Sequence, residues 1–191
     1  MSMEAMAALR ILAKRRGEAI VVPTMSGARG WATVSTRPEL DLPVSGAMGK
    51  ASSVALGLAL AQPSRQIIVL DGDGSLLMNL GSVVTIAGMQ PKNLVHAVCQ
   101  NEVYEITGGQ PIPNAERVDF AGIALAAGFV RAHTFDDVAA LERDLPALLA
   151  SDGPSFLTLK LRPFSWDDSG SRRRTIDAAR ALQLMFATAA E

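Results

Sequence analysis

Two hydrophobic rhythms alternate along this chain. Short apolar runs at 19–23, 66–70, 94–99, 129–133 and 155–161 read as buried strands. Between them, apolar residues recur at helical spacing over 2–16, 48–61, 136–149 and 175–189. A further helical stretch opens at Ser75 and carries Leu76, Leu77, Leu80, Val83, Val84 and Ala87 on its apolar positions. Pro63 stops the 48–61 helix, and Asn114 is placed to cap a helix reaching Ala127. Residues 24–43 break both rhythms. They are rich in Gly, Ser, Thr and Pro, carry Arg29, Trp31 and Arg37, and predict an irregular loop long enough to be functional. Strands alternating with helices predict an α/β fold, a doubly wound and mostly parallel sheet with helices on both faces. No internal repeat or long linker divides the chain. The expectation is one domain over 1–191, with 166–191 as a C-terminal tail and helix.

The chemistry concentrates at one crossover. The run ending in Leu70 leads into Asp71-Gly72-Asp73-Gly74-Ser75, and the run 94–99 leads into Gln100-Asn101. Strand, helix and strand in that order place the two strands parallel, with a right-handed connection. If the strands are adjacent, Asp73 and Asn101 face each other across one crevice at the carboxyl ends, where open α/β sheets bind ligands. A carboxylate and an amide oxygen beside a helix N-terminus suit a hard divalent cation holding a phosphate.

Gly72-Asp73-Gly74 followed by Asn101 resembles the diphosphate-binding motif of thiamine diphosphate enzymes. Upstream, Ser45-Gly46-Ala47-Met48-Gly49 before an Ala-rich helix resembles that family's Gly-x-Ile/Leu/Met-Gly segment. The resemblance implies a thiamine diphosphate-binding fold of the diphosphate type and a set of roles. Asp73, Asn101 and the Val103 carbonyl hold Mg²⁺, and Ser75 contacts the diphosphate, beside Gly72, Gly74 and Tyr104. Met48 wedges between the cofactor's rings, and the Gly46 carbonyl, next to Ser45, accepts from the aminopyrimidine. Residues 72–82 and Thr107-Gly108-Gly109-Gln110-Pro111 look most like the sulfopyruvate decarboxylase β subunit and phosphonopyruvate decarboxylase branch, with Thr107, Gly108, Gly109 and Gln110 lining the substrate pocket. That branch often has Asn-Gly after the strand. Here the pair is Asn101-Glu102, which keeps the amide and bears on the backbone of the turn.

The same resemblance implies decarboxylation of a 2-oxo acid, and it exposes a gap. Family members need a glutamate at the aminopyrimidine, supplied by a second domain of similar fold. The resemblance covers about residues 17–165 and contains no match for it, so no catalytic residue is assigned in this chain. A pyrimidine-domain subunit is the expected partner, in a hetero-oligomer with two or more copies of each chain. Glu18, Glu102 and Glu105 are the first residues to test if the chain proves active alone. Arg29, Lys50 and Arg37 are candidates for an anionic substrate by loop position only. Two other functions remain open: a carboligating half-enzyme of the acetolactate synthase or transketolase kind, and a non-catalytic cofactor-binding assembly subunit.

Composition narrows the picture slightly. Hydrophobic residues make up 49% of the 191, and the mean hydropathy of +0.22 is high, hinting at apolar surface covered by a partner. A net charge of −1 gives no electrostatic reason for nucleic acid or an anionic membrane as partner. No apolar stretch is long enough to span a bilayer, and the basic N-terminal segment reads as a helix and not a signal peptide, so a cytoplasmic location is expected. One cysteine, Cys99, forms no disulfide framework and holds no iron–sulfur cluster, and it reads as a small buried hydrophobe. His96 falls inside a predicted buried strand and reads as a satisfied core histidine, while His133, near a strand end, reads as structural or solvated. Arg172-Arg173-Arg174 reads as a solvated run.

Overall fold

The computed structural model describes residues 2–164. In chain order the elements are α1 (Ala5–Arg15), β1 (Ile20–Pro23), α2 (Met25–Val34), α3 (Ala51–Ala61), β2 (Ile67–Gly72), α4 (Asp73–Leu77), α5 (Gly81–Met89), β3 (Leu94–Gln100), β4 (Val103–Tyr104), β5 (Gln110–Pro111), α6 (Phe120–Ala127), β6 (Arg131–Phe135), α7 (Val138–Leu149) and β7 (Ser155–Lys160). Five strands form one parallel sheet in the order β1-β2-β3-β7-β6, and β4 and β5 form a small antiparallel hairpin. The doubly wound α/β fold expected from the alternating pattern is present. The segments expected at 166–191 and 175–189, with Arg172-Arg173-Arg174, lie outside the described residues.

Both sheet faces are buried, which is why β1, β2 and β3 are almost unbroken apolar runs. Side chains alternate between two cores. Ile68, Leu70, Val95, Ala97, Leu157 and Leu159 point to a core shared with α1, α2 and α7. Ile67, Val69, Leu94, Val98 and Phe156 point to one shared with α3, α4, α5 and α6. The connection leaving β1 therefore starts on one face with α2, while that leaving β2 starts on the other with α4. Diverging connections open a crevice between the carboxyl ends of these neighbouring strands.

Five sequence expectations need correction. Residues 24–43 are not an irregular loop: they contain α2 and a 3₁₀ turn at Pro38–Leu40. The α2 sequence MSGARGWATV is intrinsically a poor helix former, and its glycines are contact sites. A Cβ on Gly27 would sit 3.4 Å from the Leu70 carbonyl oxygen, and one on Gly30 only 2.6 Å from Leu9 Cδ1. Trp31 is fully buried, donates to Asp41 Oδ1 at 2.9 Å, and lies under the Arg16 guanidinium, which itself pairs with Asp41. Tertiary packing, not propensity, makes this helix.

Second, the helix opening at Ser75 is two helices. It begins at Asp73, stops after Leu77, and resumes at Gly81. Third, Asn114 takes a left-handed φ of 60° and precedes a 3₁₀ turn, while α6 begins at Phe120 under the Asp119 cap, whose carboxylate accepts from Gly122 N–H at 2.9 Å. The 48–61 helix starts later than expected, at Ala51, and the last edge strand is shifted to Arg131–Phe135.

Candidate cofactor site at the carboxyl ends of the strands

Register aligns the two key strand ends. Gly72 of β2 pairs with Cys99 of β3, so Asp73 and Asn101 emerge beside each other at the same edge of the sheet. They line one cleft with Met25, Ser26, Gly27, Met48, Gly74, Ser75 and the turn from Val103 to Thr107. The space among these residues is about 500 Å³, part of it open to solvent.

Asp73 is 3% exposed. Its Oδ1 accepts from its neighbour Gly74 N–H at 2.8 Å, and its Oδ2 accepts from Glu102 N–H at 2.7 Å across the strands. Burial raises its pKa to about 6, and the backbone N–H donors of Glu102, Gly74 and Asn101 oppose that shift only in part. A buried carboxylate whose partners are backbone amides is poised for a cation. Asn101 is also buried; its Oδ1 accepts from Val103 N–H at 3.3 Å and its Nδ2 donates to Glu105 Oε2 at 2.9 Å. In the hairpin Ile112 N–H donates to the Glu102 carbonyl at 2.9 Å, so Val103 and Pro111 form the neighbouring non-hydrogen-bonded pair and the Val103 carbonyl is turned away from β5. One carboxylate, one amide oxygen and one carbonyl are hard oxygen donors, too few to enclose a cation alone and suited to one shared with a ligand phosphate. Among the described residues there is no cluster of three or more His, Cys, Asp or Glu that would hold a metal independently.

The turn after Asn101 answers the question raised by Glu102. Its φ is 67°, the left-handed conformation that glycine adopts freely, so a glutamate here holds the shape that Asn-Gly would give. Gly74 explains its own identity: a Cβ would sit 2.5 Å from Tyr104 Cε1 and 3.2 Å from Ile112 Cδ1. Tyr104 thus lies directly on the Gly74 backbone and closes the hairpin over the turn.

The upstream segment is clasped to the same turn. Gly49 N–H donates to Ser75 Oγ at 2.9 Å, and Asn79 Nδ2 donates to the Gly49 carbonyl at 2.8 Å. Gly49 has a φ of 73°, and a Cβ on it would meet Asn79 Cβ at 2.8 Å. This contact carries the adjoining Met48 into the cleft. With its oxygen accepting from Gly49, the Ser75 hydroxyl keeps its proton for another acceptor. α4 is only a single short helix of five residues, so the helix-terminus field expected from the sequence is weak here. Charge from a cation becomes the larger requirement.

Not every expected residue reaches the cleft. Ser45 and Gly46 are exposed and outside its lining, as are Gly108, Gly109 and Gln110. Thr107 does line it, while Gln110 Nε2 folds back onto the Thr107 carbonyl at 2.8 Å and Gly108 and Gly109 make the left-handed turn. Arg37 pairs with Glu18 and Glu39 on the surface, and neither it nor Arg29 nor exposed Lys50 lines the cleft. Of Glu18, Glu102 and Glu105, only Glu105 is in the lining. Cys99 lines it too, its thiol pushed strongly up by burial. Met25, Ser26 and Phe164 were not anticipated. The signal for Met25 and Ser26 was the end of the first predicted strand, since the switch-point rule puts that end beside the motif.

Over residues 23–159 the sequence matches the family model described as thiamine pyrophosphate enzyme, C-terminal TPP binding domain. The chain belongs to this thiamine pyrophosphate enzyme family. Thiamine diphosphate is accordingly its cofactor. Phosphonopyruvate decarboxylase of Streptomyces viridochromogenes is 40% identical over 167 residues, 87% of this chain and 41% of that protein. Sulfopyruvate decarboxylase subunit beta of Methanothermobacter thermautotrophicus is 42% identical over 122 residues, 64% of this chain and 62% of that one. The chain therefore spans less than two thirds of the length of these relatives. Benzoylformate decarboxylase from Polynucleobacter necessarius shares the fold with a TM-score of 0.73 at 21% identity, over 85% of this chain and 34% of that one.

Proposed function

We propose that this chain is the diphosphate- and Mg²⁺-binding subunit of a two-subunit thiamine diphosphate-dependent 2-oxo acid decarboxylase, acting on a sulfopyruvate- or phosphonopyruvate-like substrate. The observation that carries this reading is the 42% identity to a sulfopyruvate decarboxylase subunit beta, together with the pairing of Asp73 and Asn101 in one cleft. When bound, the cofactor supplies a thiazolium ring that takes up the electron pair released as carbon dioxide leaves. Asp73, Asn101 and the Val103 carbonyl hold Mg²⁺, which neutralises the diphosphate. The Ser75 hydroxyl donates to the diphosphate beside Gly72 and Gly74, and Tyr104 closes over them. Met48 presses on the rings, and the Gly46 carbonyl, next to Ser45, receives the aminopyrimidine. The lining includes no Lys or Arg among the described residues, so a sulfonate or phosphonate needs positive charge from elsewhere. Thr107 is the substrate-side residue best placed by this reading, with Gly108, Gly109 and Gln110 shaping the turn that carries it.

The glutamate that activates the cofactor comes from a pyrimidine-domain partner, in an assembly holding two or more copies of each chain. Glu105 is already engaged with Asn101, on the cation side of the cleft. Two measurements test the proposal. Asp73→Ala should abolish Mg²⁺-dependent binding of thiamine diphosphate in calorimetry while the circular dichroism spectrum stays native; undiminished binding refutes the assignment. The purified chain should release no carbon dioxide from sulfopyruvate, phosphonopyruvate or pyruvate until a pyrimidine-domain subunit is added. Robust turnover by the single chain, or a carboligated product in place of an aldehyde, overturns the decarboxylase-subunit reading.

A further inference from the structure

We infer that Glu105 is a positioning residue for the cation site, setting the orientation of the Asn101 side-chain amide. The inference rests on the function proposed above and names a residue that reading leaves without a role.

An asparagine amide has two orientations of nearly equal shape, and only one presents oxygen to a cation. The choice is made by whatever faces the other end. Here Glu105 Oε2 lies 2.9 Å from Asn101 Nδ2. A carboxylate oxygen at this distance accepts from the amide N–H, so the pairing holds the orientation in which Nδ2 points at Glu105. Asn101 Oδ1 is then turned the other way, where its one hydrogen-bond partner among the described residues is Val103 N–H at a long 3.3 Å, and a lone pair remains for a cation. Flipping the amide would set oxygen against oxygen at Glu105 and a second N–H against Val103 N–H. Both contacts would be repulsive.

Location and rigidity support the role. Glu105 lines the cleft, yet its other oxygen, Oε1, is buried and has no hydrogen-bond partner among the described residues. A carboxylate with one oxygen so placed is costly for folding alone, since an unsatisfied buried acceptor carries a penalty. Glu105 also sits at the start of the 3₁₀ turn Glu105–Thr107, two residues past Val103, so the hairpin that supplies the carbonyl supplies the carboxylate that aims the amide. Partners that orient metal ligands typically affect metal affinity by roughly 10–100-fold.

The test compares Glu105→Leu with Glu105→Gln and Asp73→Ala in the protein together with its pyrimidine-domain partner. Binding of Mn²⁺ with thiamine diphosphate is measured by calorimetry, and the Mn²⁺ environment by electron paramagnetic resonance. Glu105→Gln can still accept from Asn101 Nδ2, though its own amide can turn and donate, so it should lose clearly less affinity than Glu105→Leu. Glu105→Leu, which leaves the amide free to turn, should lose roughly tenfold or more and broaden the Mn²⁺ signal. Thermal unfolding without ligand separates the effect from misfolding, and Glu105→Ala replaces the leucine variant if that one does not fold. If Asp73→Ala abolishes binding while Glu105→Leu leaves it intact, the positioning role is wrong and the cation site stands. If the glutamine and leucine variants lose affinity equally, charge and not amide orientation is at work, and the inference fails. Unaltered binding by Asp73→Ala, or no saturable binding by the parent, overturns the cation site itself.

Discussion

Replacing Glu102 by glycine sets two opposing effects against each other at one backbone position. Glu102 holds φ at 67°, and its exposed side chain makes no hydrogen bond or ion pair among the described residues, so the substitution acts chiefly on the backbone. A non-glycine residue in the left-handed region costs on the order of 1–2 kcal/mol, which glycine removes. Glycine in turn gives the unfolded chain more freedom, a loss of about 0.4–1 kcal/mol. The first effect wins narrowly, and Glu102→Gly should stabilise the protein by up to about 1 kcal/mol, or roughly 2–4 °C in Tm for a chain of this size. The N–H donated to Asp73 is retained, so cofactor affinity should not fall. Glu102→Ala keeps the strained φ and should gain nothing. Glu102→Val, β-branched in the same conformation, should melt lowest of the series. Thermal unfolding followed by circular dichroism orders the variants. A glycine variant that melts at or below the alanine variant would refute the strain argument.

Four further outcomes follow from other parts of the molecule. Asp73 has its pKa raised to about 6 by burial, so protons compete with the cation: Mg²⁺-dependent cofactor affinity should be flat above that pH and fall about tenfold per unit below it, a slope visible in calorimetry across pH 4.5–8. In the protein without ligand the sign reverses, because the native state holds this proton more tightly than the unfolded chain, so this group's contribution to stability is present below pH 4 and is lost as pH rises towards 6. Gly30→Ala should destabilise the protein by roughly 1–3 kcal/mol in denaturant unfolding, since its Cβ would press on Leu9 Cδ1 at 2.6 Å and Phe164 Cε1 at 2.8 Å. Gly57→Ala, in α3 with nothing within 4 Å, should instead stabilise by up to about 1 kcal/mol.

What could be read in advance divides by range of interaction. Strands buried on both faces, such as Ile67–Gly72 and Leu94–Gln100, declare themselves by unbroken apolar runs, because burial there is a property of each residue. Helix α2 does not, because Gly27 and Gly30 look like breakers until Leu70, Leu9 and Phe164 are placed against them. The gap between α4 and α5 was hidden for the converse reason: Leu76, Leu80 and Val83 keep a helical apolar rhythm straight through a stretch where the helix is interrupted. At the site, spacing alone brought Asp73 and Asn101 to one edge, since a β-α-β unit leaves little choice. Met25, Ser26 and Phe164 enter the cleft from segments far off in sequence, and only the order of strands in the sheet puts them there. Arg37 was misplaced by the same limit, its partners Glu18 and Glu39 being invisible until the chain is folded.

The clasp of Gly49 on Ser75 and Asn79 makes the upstream segment and the Gly-Asp-Gly turn one mechanical piece. A residue at 49 with a side chain would collide with Asn79, and a residue at 75 without a hydroxyl would orphan the Gly49 amide. The two segments can therefore be exchanged between related proteins only as a matched pair. A chimera that joins residues 45–50 to a 72–79 segment lacking Ser75 or Asn79 would lose the clasp and misplace Met48 relative to Asp73. For anyone recombining such domains, the safe cut points lie outside the span from Ser45 to Asn79.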